Sequence, residues 1–144
     1  MRFAVGSDHA GLNLKASLVS HLRANGHEVE DLGTHTTASC DYPDFAVAVG
    51  RAVAGGSAEL GLLVCGTGVG MAITANKVAG VRAAVVSDTF SAHASREHND
   101  ANVLCLGERV VGAGLARDIL DAWVGASFEG GRHQGRVDKI RALD

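Results

Sequence analysis

The chain has little proline and few aromatic residues, and it lacks any long apolar run. One proline and 4% aromatic side chains occur among its 144 residues, too few aromatics for a surface that stacks successive nucleic-acid bases. No stretch approaches the roughly 18 apolar residues of a membrane span. The chain turns polar at Ser7, so no signal peptide is predicted. We therefore expect a cytoplasmic protein without a membrane partner.

An excess of one charge is also lacking. The chain carries 13 basic and 16 acidic side chains, a formal charge of −3, and its basic residues form no cluster. This balance argues against nucleic acid or an anionic membrane as a partner. Ten of the 13 cations are arginine, and six of those ten follow residue 95. The planar guanidinium group suits recognition of a carboxylate or a phosphate.

Cysteine is scarce and irregularly spaced. Cys40, Cys65 and Cys105 form no C-x-x-C pair and are odd in number. Neither a zinc site nor a disulfide framework is predicted from this spacing. We expect at least one reduced thiol and no bound metal.

Short apolar strands alternate with helical stretches along a chain whose length fits a single domain, residues 1–144. The predicted strands span residues 2–6, 28–32, 60–65, 81–87 and 102–106. The third is almost wholly apolar, which is typical of a parallel strand covered on both faces. The pattern predicts an α/β fold: a three-layer α/β/α sandwich around a five-stranded parallel, Rossmann-like sheet.

Apolar residues at helical spacing predict the intervening helices. The first stripe is Leu14, Leu18 and Leu22, and Gly26 supplies a stop. Pro43 opens the second helix. The other predicted helices follow the glycine-rich turn after residue 65, cover residues 91–98, contain Leu115, Ile119 and Trp123, and lie near Val137 and Ile140.

The strongest site signal lies at the end of the third strand, because ligands bind parallel sheets at the carboxyl ends of their strands. Cys65 is followed there by the glycine loop, Gly66-Thr67-Gly68-Val69-Gly70, and then by a helix. Glycines in such a turn let successive backbone N–H groups face an anion. A thiol beside a helix N-terminus has its thiolate favoured, as a base requires. The alternative is a tight turn in which Cys65 is a buried core thiol.

Two nucleotide-binding motifs resemble this loop only in part. Gly66 and Gly68 begin a G-x-G, and Asp88 lies 22 residues past Gly66, where a ribose-binding acid would lie. The third position of that fingerprint is Met71, and the motif follows the third strand rather than the first. No Lys-Ser or Lys-Thr follows the glycines, which excludes a Walker-type phosphate loop.

Three further segments carry polar groups, each with a simpler interpretation. Asp8 and His9 follow the first strand, where Asp8 could serve only as a helix N-cap. Residues 96–102 form a charged run that could be a solvated helix end. Arg132 and Arg136 share a helix face if their segment is helical. They could bind one phosphate or only aid solubility.

Taken together, five motifs resemble ribose-5-phosphate isomerase type B, in order and over the whole chain. They are Ser7-Asp8-His9-Ala10-Gly11, Asp41-Tyr42-Pro43, Cys65-Gly66-Thr67-Gly68-Val69-Gly70 with Ala75-Asn76-Lys77, Arg96-Glu97-His98-Asn99-Asp100-Ala101-Asn102, and Gly131-Arg132-His133. One branch of that family replaces the catalytic cysteine with a glutamate further along the chain. This sequence resembles the cysteine branch.

The resemblance implies a cofactor-independent aldose–ketose isomerase. Cys65 would be the base that moves a proton between neighbouring carbons through a cis-enediolate, and Thr67 would orient the thiolate or a substrate oxygen. His98 would donate the proton that opens the furanose ring. Backbone N–H groups of the glycine loop would stabilise the oxyanion. The implied substrate-binding residues are Asp8, His9, Gly66, Thr67, Gly68, Val69, Gly70, Asn99, Arg109, Arg132 and Arg136, with Tyr42 in a supporting position.

The resemblance also implies a homodimer with a shared active site, which could pair into a tetramer. We expect the C-terminal segment, residues 126–144, to reach the partner subunit. Ribose 5-phosphate is the expected substrate, although the family includes isomerases of allose 6-phosphate, galactose 6-phosphate and tetrose phosphates. A non-catalytic nucleotide- or sugar-phosphate-binding protein is the remaining alternative, which the pairing of Cys65 with His98 disfavours.

Overall fold

A computed structural model describes residues 1–144. Five parallel strands form one sheet in the order β2-β1-β3-β5-β4. The strands are β1 (Arg2–Ser7), β2 (Glu28–Asp31), β3 (Leu60–Cys65), β4 (Ala83–Val85) and β5 (Val103–Gly107). The helices are α1 (Leu12–Ala24), α2 (Tyr42–Ala54), α3 (Val69–Ala75), α4 (Thr89–Asn99), α5 (Ala113–Val124) and α6 (Arg132–Arg141), and a single 3₁₀ turn, His9–Gly11, precedes α1.

Alternate residues of the central strands enter two separate cores, because successive side chains of a strand point to opposite faces. In β3, Leu62 and Val64 join a core with residues of α1, α4 and α5, including Trp123. Leu63 and Cys65 point to the other face and pack with residues of α2 and α3. The predicted three-layer α/β/α sandwich is confirmed, and Cys65 faces the α2–α3 side.

The strand order places a switch point between β1 and β3. From β1 the chain passes to β2 on one side, and from β3 it passes to the edge strand β4 on the other side before returning to β5. Helices that leave two neighbouring strands toward opposite faces open a crevice at the carboxyl ends of those strands. The crevice therefore lies between Ser7, the last residue of β1, and Cys65, the last residue of β3.

The fourth strand is shorter than predicted. It covers Ala83–Val85 rather than residues 81–87 and lies at the edge of the sheet. The Asn76 side chain occupies its open edge: its amide nitrogen donates to the Ala83 carbonyl at 3.0 Å, and its oxygen accepts from the Ala83 N–H at 2.7 Å. A side chain that satisfies backbone groups in this way protects an edge from pairing with another strand. The third strand has its predicted bounds, β1 and β2 differ from prediction by one residue at one end, and β5 is shifted by one residue at both ends.

The C-terminal helix is longer than predicted. α6 begins at Arg132, so Arg132 and Arg136 lie four residues apart on one helix and share a face. Its N-terminal end packs on α4, where the Glu129 N–H donates to the Glu97 carbonyl at 3.0 Å. None of the helices has the length and apolar composition needed to cross a membrane.

Candidate active site

A cavity of about 500 Å³ opens at the carboxyl ends of β1 and β3. The residues that follow those two strands contribute most of its wall. Nine of the residues expected from sequence lie around it: Asp8, His9, Tyr42, Cys65, Gly66, Thr67, Val69, Gly70 and Arg109. Ala10 and Ile73 complete the wall. Gly68, in the middle of the glycine loop, is buried and does not line the cavity.

Cys65 lies against the glycine loop with its sulfur held by the backbone. The thiol side chain is 5% exposed, and its Sγ accepts a hydrogen bond from the Gly68 N–H at 3.1 Å. Gly68 has φ of +80°, and a Cβ there would meet Leu106 backbone atoms at 3.0 to 3.1 Å, so the loop requires glycine at this position. A backbone donor aimed at sulfur stabilises negative charge on it.

The loop divides its N–H groups between internal bonds and open positions. The Val69 N–H donates to Thr67 Oγ1 at 3.3 Å, and the Gly68 N–H is taken by Cys65. The N–H groups of Gly66 and Thr67 make no hydrogen bond within the chain. The sequence predicts that all five loop residues direct N–H donors at an oxyanion. The N–H groups of Gly68 and Val69 are instead used in hydrogen bonds within the loop.

A second buried thiol lies in the same core as Cys65. Cys105 on β5 is fully buried, and burial, with a smaller contribution from the nearby Cys65, raises the pKa of the Cys105 thiol well above its usual range. Cys105 therefore stays protonated and does not serve as a base. All three cysteines are free thiols.

Asp8 and His9 reach the cavity from the end of β1. One Asp8 carboxylate oxygen accepts the Ala10 and Gly11 N–H groups at 2.9 and 3.2 Å. The N-cap interpretation is thus confirmed, and the same side chain also lines the cavity. His9 Nδ1 accepts the Cys40 N–H at 3.2 Å. Because a backbone N–H can only donate, the neutral imidazole must carry its proton on Nε2.

The loop that carries Cys40 is tied down by a buried lysine. Lys15 is 1% exposed, and its Nζ donates to Asp31 Oδ1 at 2.6 Å and to the Thr34 carbonyl at 2.5 Å. Thr34 in turn donates its N–H to the Ser7 carbonyl at 2.6 Å. These contacts hold the residue 32–41 loop against β1. Sequence reasoning missed this support, since neither Lys15 nor Cys40 lies in a recognisable motif.

Tyr42 and Arg109 each lie against a glycine of the loop. A Cβ at Gly70 would lie 2.6 Å from the Tyr42 ring, and a Cβ at Gly66 would lie 3.3 Å from an Arg109 guanidinium nitrogen. The Arg109 N–H donates to the Gly66 carbonyl at 3.1 Å, which holds the segment after β5 beside the loop. A side chain at Gly70 would therefore displace the Tyr42 ring from its present position beside the loop.

Four expected site residues lie elsewhere in the chain. His98 and Asn99 end α4, which begins after the carboxyl end of β4 and runs back along the sheet for 11 residues, a length of about 16 Å. Arg132 and Arg136 lie on α6, which packs against that end of α4. Within one chain none of these four side chains lines the cavity around Cys65.

His98 is not a freely solvated side chain. Its ring stacks on the buried His133 ring, with centroids 4.5 Å apart and planes 14° apart. Burial, and then the neighbouring His98 and Arg132, lower the pKa of His133. Two motif histidines are thus packed together where α4 meets α6.

Asp88, the candidate ribose-binding acid, has a structural use. Its carboxylate accepts the Ser91 N–H at 2.7 Å and caps α4. That bond lowers the pKa of the Asp88 carboxyl group, because it favours the charged form. Asp88 does not line the cavity.

One wall of the cavity is apolar and open. Tyr42, Val69 and Ile73 line the cavity with exposures of 40%, 47% and 61%. Val85, at the end of β4, is exposed beside Gly68 of the loop, and Phe90 is exposed at the start of α4. Large apolar side chains gathered at a cavity mouth are typical of a surface that another protein covers.

Comparison with known proteins defines the family. The sequence profile of the family described as Ribose/Galactose Isomerase matches residues 3–140. The chain is 54% identical over 143 residues to ribose-5-phosphate isomerase B of Escherichia coli strain K12, which covers 99% of this chain and 96% of that protein. It is 43% identical over 141 residues to D-erythrulose-4-phosphate isomerase of Pectobacterium atrosepticum, covering 97% and 93%.

Solved structures agree with the sequence relatives. Ribose-5-phosphate isomerase B of Clostridium thermocellum superimposes with a TM-score of 0.98 at 53% identity, covering 99% of this chain and 97% of that one. The Mycoplasma genitalium enzyme with bound ribulose-5-phosphate has a TM-score of 0.95 at 46% identity, covering 99% and 95%. The fold and site thus define an α/β isomerase with its cavity at the sheet's switch point. The chain belongs to the ribose/galactose isomerase family, and its resemblance to ribose-5-phosphate isomerase type B is confirmed.

Proposed function

We propose that this enzyme interconverts ribose 5-phosphate and ribulose 5-phosphate through a cis-enediolate, with Cys65 as the base. The observation that carries the proposal is the placement of Cys65 Sγ at the cavity, 3.1 Å from the Gly68 nitrogen. Two unpaired N–H groups, of Gly66 and Thr67, precede that donor in the same loop. A base and oxyanion donors in one cavity are what proton abstraction beside a carbonyl requires.

The reaction is an internal redox exchange and needs no cofactor. The Cys65 thiolate takes the C2 proton of the open-chain aldose, the C–H electron pair forms the C1–C2 double bond, and the carbonyl oxygen takes the negative charge. Cys65 returns the proton to C1 while the hydroxyl proton passes from O2 to O1. Each well-placed N–H donor on the developing oxyanion contributes about 3 kcal/mol.

The remaining roles require a second copy of the chain. His98 is the proposed acid that opens the furanose ring, yet neither it nor Asn99, Arg132 and Arg136 lines the cavity around Cys65 of the same chain. In a two-fold dimer, the α4–α6 end of one subunit lies over the apolar cavity wall of the other, and the reverse contact is identical. Residues 126–144 carry the two arginines to the partner's cavity, where they bind the phosphate.

The same proton transfer can act on sugar phosphates of different chain length. A 43% identical relative is a D-erythrulose-4-phosphate isomerase, so a tetrose phosphate is the second candidate substrate. We expect kcat/KM to be highest for ribose 5-phosphate in a panel that also contains erythrose 4-phosphate, allose 6-phosphate and galactose 6-phosphate. A higher kcat/KM for another sugar phosphate would make that sugar the substrate. If no sugar were converted and NAD or ATP bound tightly, the chain would be a binding protein rather than an isomerase.

Arg136→Ala should raise KM for ribose 5-phosphate with little change in kcat, because a phosphate remote from the reacting carbons is bound equally before and during the reaction. A charge-assisted contact at an exposed site predicts a rise of about ten- to a hundredfold, from about 1.5 to 3 kcal/mol. Arg141→Ala is the matched control, since Arg141 is an exposed arginine on the same helix. An unchanged KM in Arg136→Ala would place the phosphate elsewhere.

Gly107→Ala should displace the glycine loop, because Gly107, the last residue of β5, lies against the Thr67 backbone. A Cβ at Gly107 would lie 2.6 Å from the Thr67 Cα, so the loop must shift. Overpacking of this kind costs about 1–3 kcal/mol of unfolding free energy, and a shift near 1 Å costs about 10²-fold in kcat. Gly112→Ala is the control, because its Cβ would meet nothing within 4 Å. Equal kcat values for the two variants would contradict the prediction that kcat depends on the position of the glycine loop.

A further inference from the structure

Two histidines and a glutamate meet where the end of α4 packs on the start of α6. His98 comes from α4, His133 from the first turn of α6, and Glu129 from the segment just before it. One ligand atom from each residue lies within 4.8 Å of the other two. The His133 Nε2 and a Glu129 carboxylate oxygen are 3.5 Å apart.

These three side chains match the donor set of a zinc site. Two imidazole nitrogens and one carboxylate oxygen, with a fourth position open, are a common arrangement around Zn²⁺. Ligand atoms of a tetrahedral ion about 2.1 Å away lie about 3.4 Å from one another. The His133–Glu129 pair already has about that separation, at 3.5 Å. A ligand atom of His98 lies within 4.8 Å of both, so the His98 ring must leave its stacked position on His133 and move closer for an ion to bind.

The framework around the cluster is held by backbone contacts. The Glu129 N–H donates to the Glu97 carbonyl at 3.0 Å, next to His98 in α4, and the His133 N–H donates to the Gly130 carbonyl at 2.9 Å. His133 is 6% exposed, whereas the Glu129 side chain is 55% exposed. Within a single chain, these exposures leave an entry path for an ion on the side of Glu129.

The nearby charges set an upper limit to the affinity. Arg132 and Arg136 flank His133 on the same helix, and their positive charge opposes a cation. Glu129 is the one carboxylate in the cluster and offsets this only in part. We therefore expect micromolar rather than nanomolar binding.

We propose that His98, Glu129 and His133 form a binding site for a Zn²⁺-class divalent cation, and that the ion inhibits the enzyme by occupying the His98 ring. An imidazole that coordinates a metal cannot donate a proton from the coordinating nitrogen. The inhibition rests on the proposed ring-opening role of His98, whereas the binding does not.

Binding is tested first, without any sugar. We expect titration of the purified protein with Co²⁺ to give visible d–d absorbance at one ion per chain, and Zn²⁺ to displace it. Glu129→Gln should weaken Co²⁺ binding by about tenfold or more. Because the Glu129 side chain is exposed, this substitution should leave the fold intact. Glu97→Gln is the matched control, because Glu97 pairs with His93 at 3.0 Å on the surface of α4 without a second histidine.

Two results would overturn the site. The first is equal Co²⁺ affinity in the wild type and Glu129→Gln. The second is an intense sulfur-to-cobalt charge-transfer band, which would place the ion on Cys65 or Cys40 instead. His133→Gln provides an independent check, since it should lose the d–d spectrum while the thiols remain.

The inhibition is tested second, with Zn²⁺ and ribose 5-phosphate. We expect Zn²⁺ to lower turnover in the wild type and in Glu97→Gln, and Glu129→Gln to need about tenfold more Zn²⁺ for the same loss. Binding without inhibition would overturn the inhibitory role while the site stands. Absence of turnover before any Zn²⁺ is added would instead contradict the proposed function, so the two failures are distinguishable.

Discussion

Replacing Cys65 with alanine is expected to lower kcat for ribose 5-phosphate by about 10³- to 10⁴-fold, the upper part of the range for a positioned base. That loss corresponds to about 4–5.5 kcal/mol of transition-state stabilisation. The cavity keeps its walls and its open N–H groups in this variant, so KM should change little. Initial rates in both directions, measured at several substrate concentrations, separate the two parameters.

A second thiol in the same core supplies the control for Cys65→Ala. Cys105→Ala also removes a buried sulfur from the α2–α3 side of the sheet, but Cys105 does not line the cavity. We expect it to lose unfolding free energy and to retain kcat. Near-normal turnover in folded Cys65→Ala would contradict Cys65 as the base, and an equal loss of kcat in Cys105→Ala would assign the effect to packing.

The parallel sheet was predictable because its signal is local. The apolar run at Leu60–Cys65 and the glycine loop behind it occupy adjacent positions in the sequence, and each follows from short-range patterning. The predicted β4 was longer than the observed strand because its bounds depend on a non-local contact. Its edge pairs with the side chain of Asn76, which apolar periodicity does not reveal. The Lys15 contacts to Asp31 and Thr34 depend on tertiary packing in the same way.

Composition of the site was easier to predict than its arrangement. Asp8, Cys65 and Arg109 lie around one cavity because each ends or follows a strand whose carboxyl end meets the same edge of the sheet. His98 also belongs to a motif of polar residues in the sequence, but it lies at the end of α4, a helix that runs back from that edge of the sheet. Its expected proximity to Cys65 came from the family resemblance, which also implies a site shared between two subunits. The course of α4 agrees with such sharing, because His98 does not line the cavity of its own chain.

His98→Asn should abolish one step of the reaction and spare another. Conversion of ribose 5-phosphate should fall by about 10²- to 10³-fold, within the range for a general acid, because the furanose ring must open before C2 can react. Ribulose 5-phosphate needs no ring opening, since its C5 oxygen carries the phosphate. Exchange of its C1 proton in D₂O, followed by NMR, should therefore persist in His98→Asn and be lost in Cys65→Ala. Loss of exchange in both variants would contradict a separate ring-opening role.

Mixing the two inactive variants tests whether the site is shared between subunits. After unfolding and refolding together at equal amounts, half of the dimers should be mixed, and one site of each mixed dimer should join an intact Cys65 to the partner subunit's intact His98. Activity should return to about a quarter of the wild-type value, because half of the dimers each regain one of two sites. Refolding each variant alone is the control. A mixture with no more activity than the separate variants would mean that each chain supplies its own acid, and the course of α4 would then have to change in solution to bring His98 to Cys65.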